Sequence, residues 1–96
     1  MSDQTATLAN VASSASSVTL FAANLATYPA DGNHARAIFN DSTQVLYVKF
    51  GATASSSSYT VQIAAGGYFE FPQPVFLGNV DGIWASANGN ARLTSW

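Results

Sequence analysis

The amino-acid sequence predicts an all-β protein, a small antiparallel β-sandwich or jelly-roll-like domain of seven or eight strands. Three observations support this fold class. Apolar and polar residues alternate in short runs from residue 17 onward, turn-forming pairs such as Gly66-Gly67 separate the runs, and helical periodicity is weak. A chain of 96 residues is the size of one domain. We therefore expect an irregular N-terminal arm over residues 1–17 and a single β domain over residues 18–96.

The arm is predicted from its composition. It is rich in Ala, Ser and Thr, and Leu8 and Val11 are its sizeable apolar residues. So little apolar surface does not offset the entropy of ordering the chain. We expect a frayed terminus or an arm that becomes ordered on a neighbouring molecule, so that its deletion leaves the β domain folded.

The first half of the β domain contains three predicted strands. Residues 18–22 form the first, and a loop over residues 24–33 follows. Residues 36–39 form the second, which ends in a turn at Asn40-Asp41-Ser42. Residues 44–50 form the third, which is apolar on both faces and rich in β-branched and aromatic residues. We therefore expect this strand in the middle of a sheet.

The next two strands are predicted to form a hairpin. Residues 59–63 alternate, with Tyr59, Val61 and Ile63 expected to face the core. Gly66-Gly67 permits the positive φ of a tight turn, which would return the chain through residues 68–71. There Phe69 and Phe71 are expected on one face, with Tyr68 and Glu70 on the other.

The last part of the chain is predicted to form a second hairpin. Pro72 and Pro74 remove two backbone donors, so the strand before them is expected at a sheet edge. A short strand is predicted over residues 75–77. Residues 80–87 form the next strand, and Asn88-Gly89 is expected to send residues 90–96 back beside it.

The low charge of the chain bears on its partners. Arg36, Lys49 and Arg92 are its cations, against five acidic residues, for a net charge of −2. Three scattered cations do not neutralise a nucleic-acid backbone, so we expect no nucleic-acid partner. Charged side chains are depleted at the centres of protein interfaces, because desolvating them is costly. A neutral polar surface therefore favours a structural or interaction protein.

Neither a membrane nor a secretory route is predicted. No apolar run approaches the ~20 residues that span a bilayer. The first ten residues lack the basic and apolar parts of a secretory signal. We expect no membrane partner and synthesis in a cytoplasm.

The sequence predicts that the protein is not an enzyme, with no catalytic, cofactor-binding or metal-binding residues and no cofactor. His34 is the single histidine, Asp31 lies near it in the chain, and no Gly-x-Ser-x-Gly motif accompanies them. The chain has no Cys. Only an oxygen-ligated Ca²⁺ site is compatible with this composition, and no spacing of carboxylates indicates one.

Two further patterns each permit two interpretations. Tyr47, Tyr68, Trp84 and Trp96 could form a platform for stacking sugars, or they could pack the core. Asn40-Asp41-Ser42 matches an N-glycosylation sequon, and without a secretory signal we interpret it as a turn.

Four stretches of the chain resemble a family of short virion proteins of tailed bacteriophages and prophages. They are IFNDST (residues 38–43), LYVKFGATAS (46–55), SYTVQIAAGGYFEFP (58–72) and VDGIWAS (80–86). The similarity extends over residues 18–91 and is carried by structural turns and strands. Its nearest functional association is with capsid cement, or decoration, proteins of short-tailed phages. The chain departs from the pattern at its end, where Ser95-Trp96 follows Thr94 in place of an acidic residue.

The resemblance implies a small β-sandwich or jelly-roll domain on the outside of a shell with the HK97-type capsid fold, and it implies no catalytic residues. We accordingly expect a virion structural protein, made in the host cytoplasm, that binds the major capsid protein and clamps neighbouring subunits from the capsid exterior. Self-association as a dimer or trimer is expected, because edge strands need cover. The alternative is a carbohydrate- or receptor-binding module of a phage tail, neck or fibre.

Overall fold

The computed structural model of the protein describes residues 6–23 and 35–96. These residues form two four-stranded antiparallel sheets, with strand orders β1-β8-β3-β6 (the first sheet) and β2-β7-β4-β5 (the second sheet). The strands are β1 (Thr7–Ala12), β2 (Val18–Phe21), β3 (Arg36–Asp41), β4 (Leu46–Phe50), β5 (Val61–Ile63), β6 (Tyr68–Glu70), β7 (Val80–Trp84) and β8 (Asn90–Ser95). The predicted all-β class, a small antiparallel sandwich, is confirmed. Within the described ranges, the structure contains no helix that is long and apolar enough to cross a membrane.

Strand pairing follows a simple rule. β1 pairs with β8, β2 with β7, β3 with β6 and β4 with β5. The chain therefore forms one long antiparallel ribbon of paired strands that folds back on itself. The pair β3–β8 joins the two halves of the ribbon within the first sheet, and the pair β4–β7 joins them within the second. Among the strands of residues 6–23 and 35–96, β4 and β5 are the only consecutive pair in the same sheet.

The two predicted hairpins are consequently wrong. The connections at Gly66-Gly67 and Asn88-Gly89 each carry the chain from the second sheet to the first. Gly89 has a φ of 81°, and a Cβ there would meet the carbonyl oxygen of Asp41 and the Cα of Ser42. The turn chemistry was therefore assigned correctly. Turn residues encode only a local reversal of the chain, and the long-range pairing of β8 between β1 and β3 decides where the returning strand goes.

The N-terminal segment also differs from its prediction. An irregular arm was expected over residues 1–17, but Thr7–Ala12 forms β1 and pairs with β8 along its whole length, from Thr7 opposite Ser95 to Ala12 opposite Asn90. Hydrogen bonding to an existing strand orders a segment that has too few apolar residues to order itself.

Several finer expectations can be compared with the structure. β4 lies inside its sheet and β6 lies at an edge, as predicted. No strand forms over residues 75–77. Strand β3 continues through Asp41, so Asn40 belongs to a strand rather than to a turn. The prediction that Tyr59 faces the core is wrong, since its side chain is exposed.

The core lies between the two sheets and has two parts. At one end the phenylalanines stack: the ring centroid of Phe50 lies 4.8 Å from that of Phe71 and 4.9 Å from that of Phe76. Aliphatic side chains and Trp84 fill the rest. The buried members are Leu20, Ile38, Leu46, Val48, Ile63, Val80, Ala91 and Leu93.

Two buried polar side chains on β3 secure the ends of the sandwich. Arg36 lies 4.7 Å above the ring of Phe21 and donates hydrogen bonds to the carbonyl oxygens of Phe76 (3.0 Å), Gly78 (2.9 Å) and Ala22 (3.0 Å). Phe76 and Gly78 lie in the irregular chain after Pro72, and Ala22 follows the end of β2, so the guanidinium takes the place of a strand partner for these carbonyls. Desolvation by burial lowers the pKa of Arg36.

Asn40 plays the matching part at the opposite end of β3. Its Nδ2 donates to the carbonyl oxygens of Gln44 (2.8 Å), Ile63 (2.9 Å) and Ala64 (3.1 Å). Its Oδ1 accepts a hydrogen bond from Nε1 of Trp84 at 3.2 Å. One fully buried amide thus ties the β3–β4 connection, the β5–β6 connection and the core tryptophan together.

Candidate protein-interaction site

The outward-facing side chains of the first sheet form the surface that we consider first. On β3, Ile38 and Asn40 are buried between the sheets, so Phe39 and Asp41 point outward. Cross-strand pairing aligns residues of the neighbouring strands with them, since directly opposed residues lie on the same face of a sheet. We call the resulting surface the outer face; it comprises Leu8, Asn10, Ala12, Phe39, Asp41, Tyr68, Glu70, Asn90, Arg92 and Thr94. Ala37 lies on the same side of the sheet but is buried.

Large apolar side chains are concentrated on the outer face. Among the described residues, four large hydrophobic side chains are exposed, and three of them lie here: Leu8 (75% exposed), Tyr68 (61%) and Phe39 (38%). Phe39 is directly opposite Tyr68 across the β3–β6 pair. Exposed apolar side chains grouped on one face indicate a binding surface, whereas scattered ones need no explanation.

One row across the outer face combines these groups. The register aligns Asn10, Arg92, Phe39 and Tyr68 on the four strands in order. Tyr and Arg are the side chains that most often dominate the energy of protein interfaces, because they supply large contact areas with hydrogen-bonding ends. The row is therefore suited to binding protein.

The outer face carries one ion pair and one further charge, the exposed carboxylate of Glu70. Nε of Arg92 lies 3.0 Å from Oδ2 of Asp41, and both side chains are about half exposed. An exposed pair of this kind adds only up to ~1 kcal/mol to stability. Its more useful effect is to hold the guanidinium beside Phe39 in a defined position.

A shallow groove runs along the β1 end of the outer face. It is lined mainly by apolar atoms of Leu8, Ala9, Asn10, Arg92, Leu93 and Thr94. The groove joins the exposed Leu8 side chain on β1 to Arg92 on β8, in the row that contains Phe39 and Tyr68.

The outer side of the second sheet has a different character. Tyr59 is exposed but engaged: its hydroxyl accepts a hydrogen bond from Nε2 of Gln62 at 2.7 Å, and its ring lies 5.1 Å from that of Tyr47. Lys49 is held by the Oγ of Ser58 (2.9 Å). These side chains contact one another, whereas within the described part of the chain the Tyr68 side chain makes no ring contact or hydrogen bond and Leu8 is 75% exposed.

The aromatic platform suggested by the sequence does not form as a unit. Trp84 is 2% exposed in the core, and Tyr47 and Tyr68 lie on different sheets. Stacking of a sugar on Trp84 is therefore excluded. Carbohydrate binding stays a prediction, and it would have to use other side chains.

His34 and Asp31, for which no catalytic role was predicted, lie outside the described residues. Among the described residues, no group of three or more His, Cys, Asp or Glu side chains is placed to hold a metal ion. Asp41 and Glu70 belong to the outer face of the first sheet, while Asp81 belongs to the second sheet and accepts a hydrogen bond from Asn79 at 2.8 Å.

Sequence reasoning missed two residues of the outer face, Leu8 on β1 and Phe39 on β3. Leu8 was assigned to an irregular arm, and Phe39 was not distinguished from its core neighbours. The signal for Phe39 was the alternation in Arg36–Asp41, where placing Ile38 inward forces Phe39 outward. No local pattern identifies Leu8, because its position depends on pairing with Thr94.

Comparison with known proteins adds no identification: no family model matches the chain, and no curated protein or solved structure resembles it significantly.

Proposed function

We propose that this chain is a virion structural protein of a tailed phage that cements the capsid, binding the outside of the shell through the outer face of its first sheet. The observation that carries the proposal is the grouping of Leu8, Phe39 and Tyr68 around Arg92 on that face. The resemblance of residues 18–91 to virion proteins of tailed phages supplies the partner, the major capsid protein. The location is then the exterior of the virion.

The pairing of the strands fits this role. We infer that the ribbon pairing β1–β8, β2–β7, β3–β6 and β4–β5 is that of a jelly roll, an architecture found in viral capsid domains and also in lectins. Fold alone does not assign a function, so the proposal depends on the outer face and not on the architecture.

The mechanism would be mechanical. A copy that lies across the seam between coat subunits adds contacts that must break before the subunits separate. Contact with two or more subunits makes binding effectively multivalent, so modest individual contacts suffice. A face that carries one ion pair and only one further charge, Glu70, also limits the cost of desolvating charge on binding.

Paired tyrosine variants test which face binds. Tyr68→Ser removes an exposed ring from the outer face, and Tyr59→Ser removes an exposed ring from the second sheet as a matched control. Binding of each variant to purified phage heads that lack the protein is measured by co-sedimentation. Truncating an interface tyrosine of this kind costs on the order of 2 kcal/mol, so we expect about a 30-fold weaker affinity for Tyr68→Ser.

The Tyr59→Ser control shows whether a loss of binding is specific to the outer face. Tyr59→Ser is expected to bind as the unmodified chain does. Equal losses for both variants, or a loss for Tyr59→Ser alone, would refute the outer face as the binding surface. Copy number in purified virions tests the location: hundreds of copies per particle fit a shell protein, and a few copies per particle contradict it.

A further inference from the structure

The edge of β1 differs from the other three edges of the sandwich. Natural edge strands are usually kept short, charged or irregular, which prevents them from pairing with other chains. β5 and β6 each have three residues, β6 ends at Glu70, and β2 is interrupted by a shift of register between Thr19 and Phe21. β1 has six residues, Thr7–Ala12, with no charge and no proline.

The free side of β1 presents backbone groups that no strand of the described residues pairs with. The N–H of Ser13 donates to the carbonyl oxygen of Gly89, which continues the β1–β8 register by one residue. Because hydrogen-bonded pairs alternate in an antiparallel ladder, Val11, Ala9 and Thr7 also bond to β8. The N–H and C=O groups of Leu8, Asn10 and Ala12 therefore point away from the sheet, and no described strand pairs with them.

We propose that a second copy of this chain occupies this edge, with β1 pairing antiparallel to β1 of the partner about a two-fold axis through Asn10. An axis normal to the sheet keeps both outer faces on the same side, so opposed residues must share a face. Centring on Asn10 satisfies this condition. It places Leu8 opposite the partner's Ala12, and Asn10 opposite its own equivalent. The free backbone N–H and C=O groups of one β1 strand would then form hydrogen bonds with those of the other.

The segment suits a copy of itself for two reasons. Its outward side chains are complementary under the two-fold axis, since the large Leu8 meets the small Ala12 and the Asn10 amides can bond to each other. The absence of charge on β1 also removes the repulsion that two copies of a charged edge would experience. The resulting dimer has one continuous eight-stranded sheet, which joins two outer faces into one surface.

The dimer is expected to be weak. Pairing of two six-residue strands buries much less than the roughly 1,200–2,000 Å² of a stable interface. Dimerisation should therefore depend on protein concentration and increase where copies are held close together. The proposal concerns the free chain and does not depend on the proposed function, so it is tested without phage particles.

Mass measurement with a pair of lysine variants tests the edge. The mass of the full chain is followed by sedimentation equilibrium over a range of concentrations, and we expect a monomer–dimer equilibrium. In Asn10→Lys, two like charges would face each other across the axis, and we expect loss of the dimer. Asn90→Lys is the matched control. It removes the same Asn10–Asn90 hydrogen bond (3.2 Å) and adds the same charge, but its two lysines would lie about 14 Å apart or more.

A cysteine variant tests the register. The chain has no Cys, so Asn10→Cys introduces a unique thiol. Hydrogen-bonded antiparallel partners have Cα atoms about 5.5 Å apart, within reach of a disulfide. We expect mild oxidation to link Asn10→Cys into dimers and to leave Asn90→Cys monomeric. A full chain that is monomeric at all concentrations, a trimer, or a dimer that Asn10→Lys leaves intact would each overturn the proposal.

Discussion

At the scale of single residues, stability depends on two buried polar side chains whose roles are not apparent from their types. Arg36 and Asn40 flank Ile38 on β3, and each donates to backbone carbonyls where the chain leaves a sheet. A connection that crosses between sheets leaves carbonyls without ladder partners. Side chains with several donors replace the missing ladder, which explains why a charged and an amide residue occupy core positions.

Asn40→Ala tests this role. The substitution leaves the carbonyls of Gln44, Ile63 and Ala64 and the indole N–H of Trp84 without their partner. Each buried group left unsatisfied costs about 1–3 kcal/mol, so we expect a loss of about 3 kcal/mol or more in the free energy of unfolding, measured by urea denaturation. Asn90→Ala, on the outer face, serves as the control and should change stability by less than about 0.5 kcal/mol. Similar stabilities for the two variants would contradict the assigned role of Asn40.

At the scale of elements, β1 is the strand that the sequence did not predict. The segment has little apolar content, and one partly buried residue, Val11, packs against the core. Its hydrogen bonds to β8 and the bond from the N–H of Trp84 to the carbonyl oxygen of Ser14 (2.9 Å) hold it in place. The segment that was expected to be a separable arm is thus part of the first sheet.

Two truncations distinguish these descriptions. Removing residues 1–12 exposes the backbone of β8, and we expect the free energy of unfolding to fall by about 2 kcal/mol or more, since several ladder hydrogen bonds and the cover over Leu93 and Ala91 are lost. Removing residues 1–5 leaves β1 intact and should have little effect. Equal urea midpoints for the full chain and the longer truncation would show that β1 contributes nothing.

At the scale of the whole molecule, the two sheets have unlike outer sides. The first carries Leu8, Phe39 and Tyr68 around one ion pair, while Tyr59 and Lys49 on the second are bonded to neighbours. Because of this asymmetry, the outer side of the first sheet is suited to binding a partner and that of the second sheet to contact with solvent. A cement protein would use it to lie flat on a shell.

Thermal rupture of particles tests that use. Heads saturated with the chain should release their DNA at a higher temperature than bare heads, because added contacts must break before the subunits separate. With Tyr68→Ser at the same concentration the gain should be reduced, and with Tyr59→Ser it should be retained. Release is followed with a DNA-binding dye. If saturated heads rupture at the temperature of bare heads, the cementing role is wrong even where binding occurs.

Local sequence determined the positions of strands β2–β8 and most of their faces, although it also predicted a strand over residues 75–77 that does not form. Alternation in residues 59–63 and 68–71 placed Ile63 and Phe71 inward and Tyr68 outward, and the apolar run around Val48 placed β4 inside a sheet. These properties follow from side-chain periodicity and from the cost of exposing large apolar groups, both of which neighbouring residues reveal.

The tertiary structure alone decided which strands pair, and with that the outer face and the edge of β1. Gly66-Gly67 and Asn88-Gly89 reverse the chain in any topology, and only the pairing of β8 with β1 and β3 turns the reversals into crossings between sheets. Leu8 joins Phe39 on one surface through partners far away in the chain. Contacts between distant segments depend on the whole set of strands packing together, so no short stretch of sequence encodes them.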